Sequence, residues 1–271
     1  MPGPTAVAHL KAALKRAVAG HSKLVALDVF AGCGRVGRRL RRRGFNVISL
    51  DIKEGIDVTL PEVRKLLRGW ISAGIVAVVM LAPPCASWSS ARRGLPGSPG
   101  GPIRSLKFPM GLPQLRPQDA TKIQDGNKTM FAACELLELC EKYGVPALLE
   151  NPATSMMFRA PRMLRLLQRS AFHTRCGDFC QYGAPWRKRT KIIGVNAGCL
   201  DRLGRTCSGS RAQCSRTGRP HIVLQGTSPS GQPWTAVAEP YPPQFAAALA
   251  AVLGDAFNER HGRRLWQLVN N

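Results

Sequence analysis

One thiol in this sequence stands out by its surroundings: Cys85, in Leu81-Ala82-Pro83-Pro84-Cys85-Ala86-Ser87-Trp88-Ser89. The apolar, β-branched run from Ile75 to Leu81 reads as a buried parallel strand. Two prolines then stop it, because neither donates to a ladder and each fixes its own φ. The thiol is thereby presented just past the carboxyl end of a strand, where open α/β sheets bind ligands. That makes it a candidate nucleophile, the alternative being an inert, packed cysteine. Glu150 has a similar setting. Val145 to Leu149 is a short apolar strand that ends in Glu150-Asn151-Pro152. If the two strands are neighbours in a parallel sheet, thiol and carboxyl meet in one crevice.

A third group of residues suits a small ligand. Leu24 to Ala31 reads as a strand, Gly32-Cys33-Gly34 as a tight turn and Val36 to Arg43 as a helix. Gly32, Gly34 and Gly37 satisfy G-x-G-x-x-G, whose glycines let a ligand approach the backbone at a helix N-terminus. Asp28 lies at the end of that strand, so the stretch reads D-x-F-A-G-x-G. A pyrophosphate disfavours a carboxylate there, whereas a cationic or amino-bearing ligand favours it. The next strand, Phe45 to Leu50, ends in Asp51, seventeen residues after Gly34, where a carboxylate accepts hydrogen bonds from ribose hydroxyls. The expected ligand is therefore a nucleoside with an amino group and a positive centre, S-adenosylmethionine. Asp57 meets the adenine amino group or caps the helix that begins at Pro61.

The elements that must hold these residues alternate in an α/β pattern, and the expected fold is Rossmann-like with a mostly parallel central sheet. Pro4 to Gly20 is helical in spacing, Pro61 to Leu67 and Gln118 to Tyr143 are helices, and Pro161 to Arg169 is a further one. Phe172 to Phe179 and Lys191 to Val195 are strand-like, and Tyr241 to Phe257 returns to helix. The expected organisation is a core over residues 1–195, a small Cys/His-rich insertion over 196–235, and a helical segment over 236–271 that completes the core.

Charge points to the partner. The 271 residues carry 39 Lys and Arg against 16 Asp and Glu, a formal net charge of +23. An excess of this size, mostly arginine, implies a polyanion, and nucleic acid is the expected one. No apolar run approaches the ~18 residues that a membrane span needs, and the N-terminus does not resemble a secretory signal. The expected setting is a soluble intracellular monomer, nuclear if its cell is eukaryotic. The loop over residues 86–118 is rich in Gly, Pro, Ser and Arg, as a substrate-covering loop would be. Arg92, Arg93, Arg104, Lys107 and Arg116 within it are expected to meet phosphates. Trp88 either wedges against unstacked bases or packs the base of this loop.

Nine cysteines with no secretory signal read as reduced thiols. Cys199, Cys207, Cys214 and His221, spaced C-x7-C-x6-C-x6-H, can make a closed tetrahedral zinc site. The alternative is a basic loop with free thiols. Cys134 and Cys140 fall within the helix from Gln118 and are expected to pack.

Taken together and in order, these motifs resemble the cytosine-C5 DNA methyltransferases, most closely compact, divergent members of viral or mobile-element character. Asp28 to Gly34 resembles the family's S-adenosylmethionine loop, and Asp51 its ribose-binding acid. Pro83-Pro84-Cys85 resembles the nucleophile motif, and Glu150-Asn151-Pro152 the motif with its acidic partner. The resemblance spans about Leu24 to Val195. It implies a class I methyltransferase fold. It also implies that Asp28, Phe30, Ala31, Gly32, Gly34, Asp51, Asp57 and Pro83 hold the cofactor. After Tyr182-Gly183-Ala184-Pro185 the family carries Gln-x-Arg-x-Arg; here Trp186, Lys188 and Thr190 stand in those places. Lys188 keeps a charge and joins Cys85 and Glu150 as an expected catalytic group, while Arg187, Arg189 and Trp88 join the nucleic-acid contacts. Only 196–235 is available for target recognition, and Tyr241-Pro242-Pro243 occupies the region of the family's C-terminal Gly-Asn motif.

The chemistry implied is addition of the Cys85 thiolate to C6 of a flipped-out cytosine, with Glu150 protonated at N3 and the methyl received at C5. Burial between strands would raise the Glu150 pKa as this requires. Three other readings share some of the motifs. They are a nicotinamide-dependent dehydrogenase, an RNA cytosine-C5 methyltransferase, and a catalytically silent nucleic-acid-binding homologue.

Overall fold

Residues 3–19, 25–89, 100–210 and 213–270 are described by the computed structural model. Arg92 and Arg93 lie outside the described residues. The chain runs α1 (Gly3–Ala19), β1 (Val25–Val29), α2 (Arg35–Arg41), β2 (Asn46–Leu50), α3 (Pro61–Ser72), β3 (Val76–Leu81) and α4 (Pro117–Tyr143). It continues through β4 (Ala147–Pro152), α5 (Pro161–Leu167), β5 (Phe172–Asp178), β6 (Arg189–Val195), α6 (Trp234–Val237) and α7 (Pro243–Asn270). The six strands form one sheet in the order β2-β1-β3-β4-β6-β5. β2, β1, β3 and β4 are parallel, and β6 runs antiparallel to both β4 and β5. This is the expected Rossmann-like, mostly parallel α/β fold. Chain order reverses across the sheet at β1, with β2 on one side and β3 on the other. Such a switch point leaves a crevice at the strands' carboxyl ends.

The central strands form because they are buried on both faces. Every residue of β1 and β3 is buried, which accounts for runs of apolar residues without alternation. One face of the sheet packs Leu10 of α1, Leu67 and Ile71 of α3, and Leu136 and Leu137 of α4 against Leu27, Val79 and Leu149. The other face packs Val36 and Leu40 of α2 and Phe245, Leu249 and Leu253 of α7 against Val78, Met80, Leu148 and Ile192. Removing α7 would therefore uncover half the sheet. At about 25 cal/mol per Å² of apolar surface, each of its fully buried leucines contributes on the order of 2 kcal/mol.

Proline and glycine punctuate the helices. α3, α4 and α5 each carry proline in the first turn, where the missing N–H is not needed. Gly144 ends α4 at φ 65°, a left-handed stop that costs glycine nothing. β3 and β4 are adjacent, with Leu81 opposite Leu149. The next residues along both strands, toward Cys85 and toward Glu150, thus emerge on the same edge of the sheet.

Candidate active site

At that edge Asp28, Phe30, Ala31, Gly32, Pro83, Cys85, Glu150, Asn151, Lys188 and Tyr241 line one crevice. The structure thus brings Cys85, Glu150 and Lys188 together with most of the residues expected to hold a cofactor. The turn that carries Cys85 is fastened from the neighbouring strand: Asn151 Nδ2 donates to the Pro83 carbonyl at 2.7 Å. That bond couples the two motifs mechanically, since the β4 end cannot move without moving the Pro83-Pro84 turn.

Glu150 is buried, and both its oxygens receive hydroxyl contacts. Tyr241 OH donates to Oε2 at 2.6 Å, and Thr190 Oγ1 is hydrogen-bonded to Oε1. Thr190 Oγ1 also reaches the Asn151 carbonyl at 3.0 Å. A hydroxyl has one hydrogen and cannot serve both acceptors. A protonated Glu150 resolves the conflict, because the acid then donates to Thr190 and Thr190 donates to Asn151. The electrostatics agree: burial pushes the Glu150 pKa up, against the pull of Lys188 and of the two hydroxyls. Burial also raises Cys85, with Lys188 lowering it and Glu150 raising it further. A neutral Glu150 removes that last effect, so Lys188 then works against burial and the smaller effect of Glu239. Lys188 is held by a 3.0 Å bond from Nζ to the Ala238 carbonyl.

The glycine turn is strained where it meets the crevice. Gly32 and Gly34 have φ of 55° and 65°, and Phe30, which has a side chain to accommodate, has φ 58°. A non-glycine residue in this region signals a backbone held there by its surroundings. Gly37 allows α2 to sit on β1, since a Cβ there would lie 2.8 Å from the Asp28 carboxylate. Asp28 Oδ2 accepts from Gly37 N at 2.9 Å, and Asp51 accepts from Gly32 N at 2.8 Å and Lys53 N at 3.0 Å. The amides that would cradle a pyrophosphate are thus already bonded to carboxylates, which disfavours a dinucleotide. Asp28 is buried, forms no ion pair among the described residues, and burial raises its pKa to about 7. A buried carboxyl in this state suits a cationic or amino-bearing ligand, so the residues present fit S-adenosylmethionine.

Several expected contacts fall elsewhere. Asp57 takes neither expected role: it closes a local turn by accepting from Thr59 N and Oγ1 at 2.8 Å each, whereas α3 begins after Leu60 with no side-chain cap, and Asp57 does not line the crevice. Trp88 is fully buried and is no wedge, because the turn after Cys85 folds it into the core beside α4. Arg104 is only 6% exposed and is not a phosphate contact. Its guanidinium lies 3.3 Å over the Trp88 ring and is consumed by Ser87, Pro109 and Asn127. Gly126 makes room for this cluster, since a Cβ there would meet Ser87 Oγ at 2.0 Å. Arg116 pairs with Asp119, and Lys107 is exposed. Arg187 and Arg189 both reach buried Asp178, and Arg187 also donates to the carbonyls of Cys207 and Gly209. These two arginines brace the Tyr182–Thr190 segment, with 46% of the Arg189 side chain still exposed.

The expected ligand set also changes. Cys199 approaches the Val252 carbonyl and lies apart from the others. Cys180 takes its place in a cluster with Cys207, Cys214 and His221. Sequence spacing missed Cys180 because it belongs to the core chain before β6 rather than to the insertion. Tyr241 was likewise not assigned to the acid, and no local signal ties it to a glutamate so distant in sequence. Arg35, at the start of α2, also enters the site by hydrogen-bonding the Tyr241 carbonyl.

No protein-family model matches the chain, and no curated protein matches it. Among solved structures it is similar to the S. pombe Dnmt2 methyltransferase, at 14% identity and a TM-score of 0.35 over 64% of this chain. That match spans 50% of the S. pombe chain. It is also similar to the Entamoeba histolytica methyltransferase EhMeth, at 10% identity and a TM-score of 0.39, over 89% of this chain and 99% of that one. Likeness at this level does not decide the chemistry, which rests on the residues of the site.

Proposed function

We propose that this chain transfers a methyl group from S-adenosylmethionine to C5 of cytosine in DNA, through a covalent adduct on Cys85. The observation that carries the reading is the meeting of Cys85 and Glu150, from adjacent strands, in one crevice with buried Asp28. DNA is preferred over RNA on the resemblance of the motifs alone.

Asp28, Phe30, Ala31, Gly32 and Pro83 would hold the cofactor, with Asp51 bracing the turn behind them. Bound there, S-adenosylmethionine supplies a methyl group on a sulfonium centre. Asp28, ionised, pairs with positive charge on the ligand, and the bond from Gly37 fixes the carboxylate's direction. The Cys85 thiolate forms a bond to C6 of the base, and the displaced electron pair makes C5 nucleophilic. When the base enters, the Glu150 proton exchanges its bond to Thr190 for one to N3 and so stabilises the charge that develops there. After C5 is methylated, its proton passes to water, the C5–C6 double bond reforms and the thiolate leaves. Tyr241 and Thr190 hold the carboxyl in place through these steps, and Lys188 favours the thiolate at both ends of the cycle.

The test measures isotopic methyl transfer to DNA and to RNA alongside cofactor binding. Cys85→Ser is expected to keep cofactor binding and lose turnover. Undiminished turnover by this variant would remove Cys85 as the nucleophile, and transfer to RNA alone would replace DNA as the substrate.

A further inference from the structure

The chain between Leu203 and Ser228 is held by hydrogen bonds and buries almost no apolar surface of its own. Among its described residues only Cys207 and Cys214 are buried, and the regular pairing there is two isolated bridges, Gln213 to Pro220 and Thr227 to Pro233. The two thiols do not join either face of the main core. With Cys180 they form a separate small cluster, and His221 completes it, with one ligand atom from each residue and all four atoms within 4.8 Å of one another. A segment that buries almost no apolar surface of its own needs a staple to keep one conformation.

We infer that Cys180, Cys207, Cys214 and His221 form a structural zinc site that pins the basic insertion to the turn after β5. The geometry fits the ion. Tetrahedral zinc with sulfur at about 2.3 Å and nitrogen at about 2.0 Å sets sulfur about 3.8 Å from sulfur and about 3.5 Å from nitrogen, and His221 Nε2 lies 3.8 Å from Cys207 Sγ, so a small inward shift seats the ion. Three thiolates and an imidazole fill all four positions, which leaves no place for substrate or water and makes the site structural. Binding releases three thiol protons and leaves one net negative charge on the centre. Donors for that charge are in place. Ser215 N and Oγ each reach Cys207 Sγ at 3.4 Å, and Gln181 Nε2 reaches Cys180 Sγ at 3.7 Å and Cys214 Sγ at 4.0 Å. Such outer contacts orient ligands and compensate thiolate charge. Arg216 fastens the same corner by donating to the Cys180 carbonyl at 2.6 Å.

The position of the ion gives it a role. Cys180 lies two residues before Tyr182, on the approach to the segment with Lys188, and Ile222 N donates to the Pro185 carbonyl at 2.9 Å. Zinc would therefore lock the insertion, with exposed Arg205, Arg216 and Arg219, beside the crevice. This holds whatever polymer or reaction the crevice serves.

The test is metal analysis of the full chain purified from zinc-supplemented medium under reductant. One zinc per chain is expected, and replacement by Co²⁺ is expected to give the absorption of a tetrahedral, thiolate-bound ion. Cys180→Ser and Cys214→Ser should abolish both, whereas Cys199→Ser and Cys176→Ser should keep them. Absence of zinc together with no cobalt spectrum, or loss of metal in Cys199→Ser with retention in Cys180→Ser, would overturn the site. So would a disulfide between two of the three thiols in a non-reducing peptide map. Should the serine variants fail to fold, the unaltered chain decides. Chelation should expose Arg216 and Arg219 to trypsin while the core resists, and cleavage indifferent to chelator would refute the staple.

Discussion

Arg104 separates a structural account of the loop after Cys85 from a phosphate-binding one. Its guanidinium donates from Nε to Ser87 O at 2.9 Å, and from Nη1 to Pro109 O at 2.7 Å and Asn127 Oδ1 at 2.9 Å. Nη2 adds Ser87 Oγ at 3.1 Å, and burial pulls the guanidinium down to about 9, still charged at neutral pH. Arg104→Met keeps much of the packing on Trp88 and removes every donor. Three or four acceptors then lose their partner at about 1–3 kcal/mol each, offset by several kcal/mol no longer spent desolvating a cation. The net expected loss is about 2–4 kcal/mol, read as a lower urea midpoint at unchanged slope. A phosphate contact behaves otherwise. It would leave stability within about 0.5 kcal/mol and reduce the slope of log K against log salt by about 0.9 for nucleic-acid binding. That second pattern would refute the placement of Arg104 as the brace of the Cys85 turn.

Asp28 has a folded pKa of about 7 against an ordinary 3.8, so its contribution to stability is fully present below the ordinary value and is lost as pH rises through the folded one. The loss is about 4 kcal/mol over that window, and Asp28→Asn should flatten this part of the stability–pH curve. Parallel curves for the two proteins in urea melts would contradict it. Tyr241→Phe removes a donor that favours ionised Glu150, so the alkaline limb of kcat/KM should move to higher pH. An unmoved limb would mean that Tyr241 only packs against Phe179 and Phe245.

How much of this was legible depended on the range of the physics involved. The glycine turn, the strand stops at Pro83 and Pro152, and the adjacency of β3 and β4 were readable, because apolar runs and prolines act locally. The reversed β6 was not, since a seven-residue strand carries no mark of its direction. Burial of Arg104 was hidden because charge composition says nothing of whether a guanidinium faces solvent or an indole. Thr190 looked like the loss of an arginine, yet the fold uses its hydroxyl, with that of Tyr241, to hold Glu150 with no direct ion pair among the described residues. Cys180 was outranked by Cys199 because spacing within the insertion looked sufficient, whereas the fourth ligand comes from the body to which the insertion is attached.

The central claim is that Cys85 attacks the base. The direct measurement incubates the chain with S-adenosylmethionine and DNA or RNA oligonucleotides that carry 5-fluorocytosine, followed by peptide mass mapping. Fluorine cannot leave as a proton does, so the account predicts a stalled adduct on the Cys85 peptide. Methyl transfer to unsubstituted cytosine, with the Cys85 peptide unmodified by the fluorinated one, would contradict it.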